Sequence, residues 1–414
     1  MIIDVLKTYG GACSCGKIHS LETEVMVVER DALKKANEYI DGHGIKGFTV
    51  AVYDENTYKA TADRHPKADA EVILSPDNLH ANEHGVALLE ERLPQKVDVL
   101  IAVGSGTIHD ITRYCAYTRN ATFVSCPTAA SVDGFCSSVA AMTWNGCKKT
   151  LTAVAPKLVI ADTTVFKNAP FYLTRSGFGD MIGKFIALTD WKISNILKGE
   201  YYCERIAELT KEATDEVLHS ADGICNGDIA AYENLMRGLL LSGIAMQLLG
   251  NSRPASGAEH HISHIIEMAP APLNIKSDAL HGEKVGVGTL MAIKEYHRLC
   301  ETDNVEFVDY QGRTNDELLD IFGEDMYLDI IKENQNDSAA GVTAEMLQNC
   351  WSNIVENVSV LPTADELEAI YNQLGMKRLL SDIEVSEDMK DTLLKCSPLV
   401  RNRLTLMRLR RCIK

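Results

Sequence analysis

The sequence predicts an α/β domain built on a doubly wound parallel sheet, followed by an all-helical domain. Three observations predict it. Short Val- and Ile-rich runs alternate with helical periodicity in the first part of the chain. After Pro170 the strand patterns stop and long stretches keep a helical period. A chain of 414 residues is long enough for two such domains.

The runs GFTVAVY (47–53), VDVLIAV (97–103), TFVSC (122–126) and KLVIAD (157–162) read as buried parallel strands. They are short, continuously apolar, β-branched and bounded by turn residues. Residues 30–41, 84–93 and 107–117 read as helices between them, the alternation expected of a doubly wound sheet. Further helices are expected over 180–197, 204–218, 228–249, 257–268 and 283–299. The expected domains are therefore 1–168 and 169–414. Met268 to Ser277, with Pro270 and Pro272, reads as a loop. The Arg-rich end, from Arg401 to Lys414, reads as a solvated, partly amphipathic helix.

Composition narrows the partners. Lys and Arg number 41 against 58 Asp and Glu, a net charge of −17. Nucleic acid and anionic membrane surfaces need a basic face, so both are disfavoured. Twelve scattered cysteines fit reduced thiols in the cytoplasm better than a disulfide framework. The N-terminus lacks the pattern of a signal peptide. The most apolar stretch, Gly238 to Leu249, is too short to span a bilayer. A small anionic ligand would need a locally attractive pocket.

VDVLIAVGSGTIHD (97–110) brings a buried strand into Gly104-Ser105-Gly106 and then a helix. Such a turn points backbone N–H groups at a phosphate with no Cβ in the way. It lacks the third glycine of a complete dinucleotide fingerprint, and a tight strand–helix turn is the plain alternative. Asp54 ends the preceding strand, where a carboxylate can hold a ribose hydroxyl and disfavour a 2′-phosphate. Thr128, Ser131, Asp133 and Ser137 follow the next strand on the rim where open α/β sheets bind ligands. Asp133 alone also suits a turn or cap.

Four of the twelve histidines fall between residues 260 and 281. In EHHISH, His260 and His264 share a helix face, and His261 is rotated away by about 100°. His281 follows the proline loop, and Asp180 in SGFGDMIGK offers a carboxylate. Two imidazoles and one carboxylate suit Zn²⁺, Ni²⁺ or Fe²⁺. Spacing does not decide which histidines bind, and ordinary hydrogen-bonded histidines are the alternative. The absent HExxH glutamate disfavours a zinc protease. Cys13, Cys15 and His19 form a second metal-like group that lacks a fourth ligand.

In order, CSCGKIH, GSGTIHD, CPTAASVDGFCSS, SGFGDMIGK, SRPASGAEHHISH and HGEKVGVGT cover nearly the whole chain. Together they resemble the sn-glycerol-1-phosphate dehydrogenases of the iron-containing alcohol dehydrogenase and dehydroquinate synthase superfamily, nearest the bacterial NAD-linked branch. The resemblance implies a Rossmann-like nucleotide domain, a helical metal domain, and a metal in the cleft between them. It implies Asp180, His260 and His281 as ligands of one divalent metal, Zn²⁺ or Ni²⁺, with Fe²⁺ also used among relatives. His264, Asp133 and Asp180 would meet the substrate, with His264 in the proton relay. The cofactor's phosphates would lie over Gly104, Gly106, Thr107, Ile108, His109 and Asp110. Thr128, Ala129, Ala130, Ser131 and Ser137 would meet the nicotinamide half, and Asp54 the adenosine ribose. The implied reaction is reversible reduction of dihydroxyacetone phosphate by NADH, with NADPH as an alternative. A homodimer is implied as well. Arg253, just before the metal helix, is the residue expected to anchor the phosphate. A glycerol dehydrogenase, a dehydroquinate synthase-type lyase and a non-catalytic relative are the competing readings. The intact Asp180, His260, His264 and His281 speak against the last.

Overall fold

A computed structural model describes residues 1–144, 147–302 and 304–414. Eleven strands are present among them: β1 (Ile2–Asp4), β2 (Gly11–Ala12), β3 (Ile18–His19), β4 (Val25–Glu29), β5 (Thr49–Asp54), β6 (Ala70–Leu74), β7 (Val99–Gly104), β8 (Thr122–Pro127), β9 (Val139–Trp144), β10 (Cys147–Thr152) and β11 (Leu158–Asp162). Seven of them form one sheet in the order β1-β4-β11-β8-β7-β5-β6. All neighbours run parallel except β1, which is antiparallel to β4. β9 pairs with β10, and β2 with β3, as separate hairpins.

The four strands read from the sequence are β5, β7, β8 and β11. Helices cover both faces of the sheet, so both faces bury apolar side chains. Ile101 and Val103 of β7 join one core cluster, and Leu100 and Ala102 join the other. That alternation by two explains why the strand reads as an unbroken apolar run. Helical residues dominate the rest of the chain, and no strand follows β11 among the described residues. The stretch expected as one helix over 180–197 is two, Phe171–Ile182 and Lys184–Lys198, meeting at Gly183.

The chain divides into two compact units. Met1–Met181 and Asp215–Asn251 make the first, and Ile182–Thr214 and Ser252–Lys414 the second. This division differs from a single cut at 168. The helix Ile229–Leu249 goes with the sheet because it packs on β4 and on the short turn Asp133–Cys136. Gly243 makes this possible, since a Cβ there would sit 2.7 Å from Cys136 Cβ.

The C-terminal segment corrects the reading of a solvated helix. Leu406–Leu409 is one short helical turn that includes buried Arg408. The Arg408 guanidinium donates to the carbonyls of Pro398 and Arg401. Arg403 donates to the Ser256 carbonyl at 2.7 Å and to the Ser252 hydroxyl at 2.6 Å. These arginines clamp backbone within the second unit. No helix of the described residues is long and apolar enough to cross a membrane.

Candidate active site

In the first unit, β7 ends at Gly104 and the helix Gly106–Thr118 starts two residues later. Gly104 cannot carry a side chain, because its Cβ would lie 2.5 Å from Ile108 Cβ. Ser105 caps the helix without a side-chain hydrogen bond. The amides of Gly106, Thr107 and Ile108 therefore sit in the first turn of a thirteen-residue helix with no cap oxygen on them, an arrangement suited to an anion.

His109 corrects part of the expectation. Its ring is buried between Phe123 and Phe135. Nδ1–H donates to the Ser105 carbonyl at 2.9 Å, so Nε2 accepts from the Ser125 hydroxyl at 2.8 Å. Burial, then the nearby Arg113, pushes its pKa down to about 3. The side chain holds the turn and is not available to a cofactor. Ile108 likewise is core, which leaves backbone as the contact either residue can offer. A pH dependence follows. Unfolded His109 titrates near 6.5 and folded His109 near 3, so the unfolded chain binds the extra proton between those values. Stability is expected to fall as pH drops below 6.5, by up to about 1.4 kcal/mol per pH unit from this group. Urea titrations of wild type and His109→Asn across that range check it. Equal slopes would remove His109 as the cause.

Asp54 is the N-cap of the helix Glu55–Ala60. Its Oδ1 accepts from the amides of Asn56 and Thr57, so the cap engages one carboxylate oxygen and not Oδ2. Thr128, Ala129, Ala130 and Ser131 are buried in the turn after β8. The Thr128 amide donates to the Gly104 carbonyl, joining the turn after β8 to the turn after β7. Ser176 Oγ donates to the Ser131 carbonyl. A Cβ on Gly177 would come within 2.1 Å of the Ala130 carbonyl oxygen, so the helix Phe171–Ile182 lies directly on this turn. The Ser137 hydroxyl accepts from the Val139 amide, a local role. Asp110 faces Arg113 at 3.9 Å. Buried Arg113 donates to the carbonyls of Phe135, Ser137 and Val139 and so fixes the loop that carries Asp133.

Asp180 lies on that same helix and is fully buried. Its Oδ2 accepts the Asp133 amide at 3.0 Å. The Asp133 carboxylate in turn accepts the Ser242 hydroxyl at 2.9 Å.

In the second unit, His260 and His264 lie on the helix Ala258–Met268, and His281 opens the helix His281–Glu301. Their rings converge at 5.3 Å for His260 with His281, 5.9 Å for His260 with His264, and 6.1 Å for His264 with His281. His260 Nδ1–H donates to Glu259 Oε1 at 2.6 Å, and His281 Nδ1–H donates to Glu267 Oε1 at 2.8 Å. A carboxylate only accepts, so each ring carries its lone pair on Nε2, the tautomer of a metal ligand backed by a carboxylate. His260 and His281 can bring ligand atoms within 4.8 Å of each other. His264 Nδ1 is buried and has no hydrogen-bond partner among the described residues. Enclosure, then Arg401, holds the His264 pKa well below its usual value, so the ring is neutral near pH 7. His261 points the other way into the core, as its rotation on the helix predicts. Glu259 and Glu267 were not read from the sequence. The signal available was a glutamate directly before the first histidine of EHHISH.

Arg253 is corrected. It is 2% exposed, and its guanidinium grips Glu200 at 3.0 and 2.8 Å and the Leu404 carbonyl at 2.7 Å. A fork engaged in this way supports the loop and does not anchor a phosphate. Arg253→Ala is expected to cost about 2–3 kcal/mol of stability, with equal small changes in KM for phosphorylated and unphosphorylated ketones. A selective rise in KM for the phosphorylated ketone would restore it as the anchor.

Residues 27–170 match the family model described as iron-containing alcohol dehydrogenase. The fold agrees. A probable glycerol dehydrogenase from Sinorhizobium meliloti superposes with a TM-score of 0.61 at 16% identity, covering 94% of each chain. NADH-dependent butanol dehydrogenase A from Thermotoga maritima also gives 0.61 at 16% identity, over 95% of this chain and 93% of that one. Sequence relatives narrow the class. Glycerol-1-phosphate dehydrogenase of Bacillus licheniformis, named for NAD(P)+, is 40% identical over 309 residues, which is 72% of this chain and 77% of that protein. The relative of that name from Bacillus subtilis is 37% identical over 69% of this chain and 74% of its own. The one from Halalkalibacterium halodurans is 29% identical over 97% and 96%. The chain belongs to the glycerol-1-phosphate dehydrogenase family.

Proposed function

We propose that this chain is a metal-dependent, NAD(P)-linked oxidoreductase that interconverts dihydroxyacetone phosphate and sn-glycerol 1-phosphate. The observation that carries the reading is the pair of carboxylate-backed imidazoles, His260 and His281, in a chain of this family. Asp180, His260 and His281 would hold the ion. The donor set fits a borderline divalent metal: one buried carboxylate and two imidazoles, with the backing glutamates already in place. Zn²⁺ and Ni²⁺ both suit it, and Fe²⁺ is the third choice.

When bound, the ion supplies Lewis acidity toward the substrate carbonyl and the dinucleotide supplies or accepts hydride. The chain's own residues do the rest. The amides of Gly106, Thr107 and Ile108 receive the pyrophosphate, and Asp54 Oδ2 receives the ribose. The turn Thr128–Ser131 meets the nicotinamide half. Asp133, fixed by Ser242, orients a substrate hydroxyl. His264, neutral and with Nδ1 unengaged by protein, moves the proton to or from the C2 oxygen. The substrate is a small phosphorylated polyol, and no nucleic acid or membrane partner is proposed. The enzyme would act in the cytoplasm as a homodimer, and its product would enter lipid or phosphoglycerol synthesis.

The test runs NADH oxidation with dihydroxyacetone phosphate and with dihydroxyacetone, and NAD+ reduction with glycerol, in metal-replete and chelated samples. Metal-dependent turnover specific to the phosphorylated ketone is expected. Equal or better turnover of dihydroxyacetone and glycerol would make it a glycerol dehydrogenase instead.

A further inference from the structure

The N-terminal β2–β3 hairpin carries a second set of metal donors. Gly11 pairs with His19 and Ala12 with Ile18. The chain between them turns tightly, with the Cys13 amide bonded to the Lys17 carbonyl and the Gly16 amide to the Cys13 carbonyl. Gly16 has φ +85°, which allows the turn to fold back so that both thiols lie on the side of His19. The ligand atoms of Cys13, Cys15 and His19 lie within 4.8 Å of one another. None of these cysteines is in a disulfide.

His19 is set as a ligand would be. Its ring is buried, and Nδ1–H donates to the Leu248 carbonyl at 2.8 Å. A carbonyl only accepts, so the lone pair is on Nε2, which lies 3.4 Å from Cys15 Sγ. Around a tetrahedral zinc, bonds of about 2.3 Å to sulfur and 2.0–2.1 Å to nitrogen put these two atoms about 3.5 Å apart. The observed separation is that edge. Second-shell fixing of the imidazole by a backbone carbonyl is the usual companion of a zinc ligand.

We propose that Cys13, Cys15 and His19 form a zinc site on this hairpin, separate from the proposed ligands of the active-site ion. Two thiolates and one imidazole are a soft donor set that selects zinc over the harder cations. Binding releases the thiol protons and involves no electron transfer. The site would tie down the first residues of the chain, which a two-residue hairpin alone would leave frayed.

Cobalt(II) distinguishes this site from the active-site one, because only thiolate ligands give an intense sulfur-to-cobalt charge-transfer band in the near ultraviolet. Cobalt-loaded wild type is expected to show that band, and Asp180→Asn and His260→Ala are expected to keep it. The variants Cys13→Ser and Cys15→Ser should each lose most of it. Because those variants could fold poorly, a second measurement uses the wild type alone. Zinc-loaded protein is treated with a mercurial reagent in the presence of a chromophoric zinc indicator, and one equivalent of zinc should be released as the thiols react. Wild type without the cobalt band, or without thiol-linked zinc release, overturns the proposal, as does a band that persists in Cys15→Ser.

Discussion

Asp180→Asn is expected to leave a folded protein that binds NADH, carries less metal and does not turn over. The asparagine carbonyl can still accept the Asp133 amide now bonded to Asp180 Oδ2 at 3.0 Å, so the loop stays in place. What is lost is the negative charge and with it the proposed carboxylate ligand. A loss of about a thousandfold or more in kcat/KM corresponds to about 4 kcal/mol, the scale expected of Lewis-acid stabilisation. His260→Ala should match it. Glu259→Gln should be milder, about 10–100-fold in metal affinity, because it loosens a ligand and keeps all three. Metal content, NADH titration and turnover measured together separate these cases. Full activity in Asp180→Asn, or in wild type after chelation, would end the metal reading.

Gly177→Ala is expected to damage both stability and cofactor binding. The added methyl would meet the Ala130 carbonyl oxygen at 2.1 Å and its carbon at 2.8 Å. These are backbone atoms, so no side chain can swing aside. Overpacking of this kind costs about 3 kcal/mol or more. The helix must retreat from the Thr128–Ser131 turn, the turn proposed to meet the nicotinamide. A lower melting temperature and a weaker NADH Kd are expected together. An unchanged Kd at a lowered melting temperature would show that the turn does not touch the cofactor.

The sequence made some elements plain and hid others for physical reasons. β5, β7, β8 and β11 are visible because both their faces are buried and their runs are unbroken. β4 is as central as these, yet its VMVVE run is short and sits between charged segments. β1 and β6 are edge strands with partly exposed residues, so neither carries a full apolar signature. In the site, His260 and His264 announce themselves by helical spacing, whereas Glu259 looks like any solvated glutamate until His260 is seen bonded to it. Arg253 misled because its partner Glu200 is 53 residues away and leaves no local trace. His109 misled because a residue in the first turn of a helix can turn its ring inward while its backbone stays at the helix start.

The glutamates behind His260 and His281 also bear on how much of the protein persists in a cell. Glu259 is fully buried, and its Oε2 has no partner among the described residues. A chain without its ion therefore keeps a carboxyl oxygen buried with no hydrogen-bond partner among the described residues. An ion that binds only the folded form shifts the folding equilibrium by about 2.7 kcal/mol at a free concentration one hundred times its Kd. Cellular metal supply would then set abundance as well as activity.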